Sequence, residues 1–179
     1  MCAQVSPNPV ADAEIRDTDS IRMRSLALEQ AKREENKLHA SEDSKIPEAK
    51  FAVIKSDFES IQKLESSIVK TYKTGKKIDY VKIGELALEI KKKAGRLGLN
   101  FFDIKDEPGV DPNPRDLTRK SVRDLIIDLD GTLTAFVTNP TFTGLRVIDA
   151  KNNDRARADL EKLIELSRDL QEAAEKAGH

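Results

Sequence analysis

Two aspartates, Asp128 and Asp130, close the apolar run Leu125-Ile126-Ile127 and stand just before Gly131-Thr132. A carboxylate pair there invites the reading of a phosphate-directed metal site. Few other residues offer chemistry. His39 closes a charged stretch and His179 is the last residue, and neither has neighbours that would tune it for proton transfer. One cysteine, Cys2, excludes a disulfide framework, and with two histidines it cannot complete an all-protein zinc cage. No Ser or Cys has a triad partner in the pattern, and no Gly-rich phosphate loop is present. The acidic residues Asp103, Asp106, Glu107 and Asp111 lack the alternating ligand spacing of a calcium loop.

The string Leu125-Ile126-Ile127-Asp128-Leu129-Asp130-Gly131-Thr132-Leu133-Thr134 resembles the first motif of the haloacid dehalogenase superfamily of phosphohydrolases. The resemblance implies an α/β core in which an apolar strand delivers Asp128 as nucleophile and Asp130 as general acid/base. It also implies Mg²⁺ held by Asp128, the carbonyl of Asp130 and a later acidic residue. A helical description competes with it. Val122, Leu125, Ile126, Leu129, Leu133, Phe136 and Val137 fall within a sector of ~120° at ~100° per residue. On that wheel Asp128 and Gly131 face solvent and Asp130 flanks the apolar stripe. A strand would leave the apolar positions from 133 to 137 unexplained, and no later lysine or paired-Asp motif completes the phosphohydrolase set. The helix is therefore expected, with Gly131 costing it roughly 1 kcal/mol relative to Ala. No catalytic, cofactor-binding or metal-ligating residue is assigned, and no cofactor is expected.

The elements that must carry these residues follow from composition and periodicity. The chain has 179 residues, 38% apolar and only 4% aromatic, with 31 basic against 32 acidic side chains. That balance predicts long solvated helices around a thin aliphatic core. The expected fold is all-α: an antiparallel bundle of about four helices, with a helical, partly mobile N-terminal arm. Residues 1–44 form the charged arm, partly disordered, with a helix from Ser20 as N-cap to Lys37 and a weak apolar face. Residues 45–179 form the bundle domain, its helices at about 47–74, 79–97, 116–137 and 152–177. Phe51, Ile54, Phe58, Ile61, Leu64, Ile68 and Tyr72 mark the buried face of the first, which Pro47 begins and Gly75 ends. Asp79 caps the second, and Gly95 and Gly98 end it. Phe101 and Phe102 open a Pro-rich connection and plug one end of the core. Asn139-Pro140 breaks the third helix, and Gly144-Leu145-Arg146-Val147-Ile148 could pair as a short strand. The last helix, capped by Asn152 or Asn153, carries Ala156, Leu160, Leu163, Ser167, Leu170, Ala174 and Ala177 in a coiled-coil-like seam.

Charge is segregated: residues 45–96 hold 13 basic and 7 acidic side chains, while both flanks are net acidic. Lys70, Lys73, Lys76, Lys77, Lys91, Lys92, Lys93 and Arg96 could bind phosphate weakly, as in nucleic acid. Seven of these eight are Lys, and stacking aromatics are nearly absent, so nucleic acid is disfavoured as a partner. No apolar run is long enough to span a membrane. Residues 1–10 are not an intact signal peptide, and either a cytoplasmic chain or an exported one with a trimmed signal fits them. The functional expectation is a non-enzymatic helical interaction or self-association module, with a protein partner or homo-oligomer. The last-helix seam and the arm are its contact elements. The alternatives are a metal-dependent phosphohydrolase-like site at Asp128 and Asp130, and weak nucleic-acid binding by the Lys-rich hairpin.

Overall fold

The computed structural model describes residues 15–38, 47–74, 77–102, 120–142 and 150–178. Five α-helices follow in order: α1 Thr18–Leu38, α2 Glu48–Thr74, α3 Tyr80–Phe102, α4 Val122–Val137 and α5 Ala150–Gly178, with a 3-10 turn at Pro140–Phe142. Among the described residues 91% are helical and none is in a strand, so the fold is all-α. The Gly144 to Ile148 strand expectation, Gly75, both histidines, Cys2 and the acidic residues of the Pro-rich connection lie outside the described residues.

Helices α2, α3, α5 and α4 stand in a ring, in that order, with the closest packing between α3 and α5. One end of the ring gathers Tyr72 near the end of α2, Tyr80 at the start of α3, Val122 at the start of α4 and Ala177 near the end of α5. Ring neighbours are therefore antiparallel throughout. Helix α3 ends at the far side from where α4 begins. The far end is closed by rings: Phe142 lies 5.3 Å from Phe58, 4.9 Å from Phe136 and 5.5 Å from Phe101, centroid to centroid. Phe101 does help plug the core, as expected, although from the last turn of a helix.

Helices α2 and α4 touch only lightly; α1 packs along α2 and against the Pro140–Phe142 turn, and Arg16 just before it reaches across to α4. The core is aliphatic along its length, with Ile54, Ile61, Ile68, Ile83, Ile90, Leu129, Leu133 and Leu160 essentially inaccessible. Every expected α5 seam residue from Ala156 to Ala174 is buried inside this same chain, against α3 and α4. The seam is thus already occupied and does not remain for a second copy.

Several helix ends differ from expectation. Asp17, not Ser20, caps α1: its carboxylate accepts from the Ser20 amide at 2.6 Å, and its carbonyl from Ile21 at 3.2 Å. Helix α3 runs through Gly95 and Gly98, because burying Phe101 and Phe102 against the core outweighs about 1 kcal/mol of propensity per glycine. Helix α4 begins at Val122, not near Asp116, because Ser121 and Asp124 form a capping box with amide contacts of 3.2 and 3.3 Å. Asn152 lies inside the first turn of α5, where its carbonyl accepts from the Asn139 side chain at 3.1 Å. Asp79 caps α3 as expected, accepting from the Lys82 amide at 3.0 Å.

Candidate functional site

A helix turns 100° per residue, so Asp128 and Asp130 leave α4 about 200° apart. Asp128 points outward and accepts from Lys120 at 2.6 Å, in an ion pair more than a third open to water. Asp130 turns inward to the α2 side, where it meets Arg16 at 3.0 Å. The two carboxylates therefore serve different partners and do not converge on one metal position. The strand that the phosphohydrolase resemblance implies is absent here: residues 122–137 are helix.

Around Asp130 a buried polar cluster joins three elements. Arg16, in the segment leading into α1, donates from Nη1 to Glu65 of α2 and from Nη2 to the Thr134 hydroxyl at 2.6 Å and the Asp130 carbonyl at 3.3 Å. Its backbone amide donates to the Ser66 hydroxyl at 3.0 Å. The Arg16 side chain is 0% exposed, Glu65 1% and Asp130 14%. Burial is the main cause that raises the Glu65 carboxyl from 4.5 to about 8, with the neighbouring Asp130 charge adding to it and Arg16 opposing. Glu65 Oε1 is buried without a donor. A proton held on Glu65 supplies that hydrogen bond to Asp130, so at neutral pH Glu65 is held mainly as the neutral acid.

Beyond this cluster α1 is seated by further polar contacts. Arg24 donates to Gln62 at 3.1 Å and Ser25 to Glu59 at 2.6 Å. Lys55 pairs with Glu29, and Lys32 with Glu48 at 2.6 Å while lying 4.1 Å from the Phe51 ring centre. Among the described side chains of α1, Ile21 and Leu28 are the buried apolar residues.

A second buried carboxylate, Asp57 of α2, takes both arms of Arg96 at 2.6 Å and has Lys93 at 3.7 Å, so it clamps α2 to α3. That clamp, with Lys92 on Glu89 at 3.0 Å, commits much of the basic patch expected for phosphate. Lys77 lies at the α2–α3 turn, about 20 Å along the axis from Lys92, so the described basic residues are spread along the hairpin, and Lys76 lies outside the described residues.

A cleft of about 840 Å³ opens at the tyrosine end, with Tyr72, Tyr80, Leu125 and Leu166 in its lining and Lys120, Arg123, Asp169 and Lys176 among its charged groups. Burial raises the Tyr72 hydroxyl above its ordinary value. The cations and carboxylates of this lining are mixed, so it presents no single charge to a ligand. Among the described residues no group of three or more His, Cys, Asp or Glu is placed to hold a metal ion.

Asp57 and Glu65 were not singled out from the sequence, but a signal was there. Asp57, Phe58, Ile61, Glu65 and Ile68 share one face of α2 at helical spacing, so two carboxylates stand in register with the apolar stripe. Arg16 gave none, lying among other charges before its helix. Comparison of the chain with protein-family models, curated proteins and solved structures finds no match to any of the three.

Proposed function

We propose that the chain is a non-enzymatic helical interaction module in which α1 is the exchangeable element and the α2/α4 seam is the receiving surface. The supporting observation is the chemistry of the α1 contact. Both sides are largely polar: Arg16, Arg24, Ser25 and Lys32 on one, Glu48, Glu59, Gln62, Glu65 and Ser66 on the other. Surfaces of that kind tolerate water when parted, whereas the α2 to α5 ring has an aliphatic core of its own. A partner helix carrying a guanidinium at the Arg16 position, including α1 of a second copy, would make the same contacts. The buried Asp130–Glu65 pair serves docking in this reading, because α1 itself covers the carboxyls.

A test uses the full chain and a fluorescent peptide of residues 15–38. Arg16→Ala loosens the resident helix, and the added peptide restores the missing guanidinium. The variant should take up the peptide at least tenfold more tightly than the wild type, whose own tethered α1 competes at high effective concentration. Absence of uptake by the variant, together with a strictly monomeric chain in light scattering, would contradict the proposal.

A further inference from the structure

The cluster beneath Arg16 has an asymmetry that ordinary ion pairs lack: two carboxyl groups face one guanidinium in a site almost closed to water. The charged groups facing Glu65 are Arg16 from the α1 lead and Asp130 from α4, with Ser66 and Thr134 as hydroxyl neighbours of the same arginine. With the proton on Glu65 the acid is neutral, and Oε1 has its hydrogen bond to Asp130. Loss of that proton to solvent adds one negative charge beside Asp130 in the buried cluster and leaves Oε1 without a donor. Water relieves that charge as soon as α1 lifts, since both carboxyls lie beneath the α1 lead.

We propose that α1 is a proton-gated strap, held on the α2/α4 seam while Glu65 carries its proton and released toward exchange as that proton leaves. The gate rests on the reading of α1 as the exchangeable element and supplies its regulation. Its sign follows from linkage. The carboxyl is raised from 4.5 to about 8 when α1 is docked. The Glu65 contribution to docking is therefore fully present below about pH 4.5, weakens as pH rises toward 8, and is lost above it.

The strap can be watched with two spin labels on the full chain, one at Met23→Cys on the outer face of α1 and one at Ser67→Cys on exposed α2, with Cys2→Ser to leave no other thiol. Pulsed dipolar distances are recorded from pH 5 to pH 9. We expect one narrow distance at low pH and a long, broad population that grows by up to about tenfold per pH unit until about pH 8. Glu65→Gln, which keeps the neutral shape without a titrating group, should stay docked across the whole range. Asp130→Asn is a second variant: with one carboxyl left for the guanidinium, the pH response should shrink. An unchanged wild-type distance from pH 5 to pH 9 would overturn the gate, as would opening on acidification or an equal response in Glu65→Gln. If the strap opens with pH but the peptide of residues 15–38 is never taken up, the gate stands and the exchange reading falls. Uptake without any pH response has the opposite meaning.

Discussion

At the residue scale, α4 places side chains of opposite consequence one position apart. Asp128 is paired with Lys120 at the surface, where such pairs contribute roughly 0–1 kcal/mol. Leu129 is 1% exposed in the core. Asp128→Ala should therefore move stability by no more than ~0.5 kcal/mol, while Leu129→Ala should cost ~2–5 kcal/mol through lost burial and a cavity. Gly131 completes the series. An added methyl there meets nothing within 4 Å, so Gly131→Ala should stabilise the helix by about 0.5–1 kcal/mol. Urea midpoints for the three variants test the set. Had the segment been a strand bearing a crowded carboxylate pair, Asp128→Asn would have stabilised the fold. The helical period of Val122 to Val137 carried enough information to place Asp128 outward and Asp130 at the flank. It could not show what lies at that flank, because Arg16 and Glu65 are distant in sequence and meet only through tertiary packing.

At the element scale, the two buried carboxylates of α2 differ in what they leave behind when a partner is removed. Asp57 is 0% exposed and Arg96 53%, so the arginine can turn to water but the aspartate cannot. Arg96→Met strands a buried charge with Lys93 at 3.7 Å as its remaining ion partner and should cost ~3–5 kcal/mol. Asp57→Asn keeps a hydrogen-bonding group beneath a half-exposed arginine and should cost about 1–2 kcal/mol. Thermal unfolding of the two variants gives the order directly, and a larger loss in Asp57→Asn would contradict it. Apolar periodicity made the helices legible, and their middle turns agree with the structure. The ends were less so. Asp17 and Ser20 are both sound caps, and only one of them can close the turn. The glycines of α3 signal a stop locally, and Phe101 and Phe102 reverse it through burial.

At the scale of the molecule, four helices form a ring with an aliphatic core and α1 packs outside it on α2, its Arg16 lead reaching over to α4. The helical class and the antiparallel ring follow from stripes that are mostly one-sided. The place of α1 does not, since its weak apolar face specified only that it needed support. Among its described side chains the buried apolar residues, Ile21 and Leu28, supply roughly 1.5–3 kcal/mol each before ordering costs, well below what the ring buries. Segment-resolved amide hydrogen exchange on the full chain at about pH 7 therefore tests the central claim most directly. Helix α1 should exchange as one unit, at an opening free energy at least 2 kcal/mol below the value shared by the middle turns of α2 to α5. Protection of α1 equal to that of α3 and α5 would mean that the helix opens only with the whole fold, and would contradict its role as a removable strap.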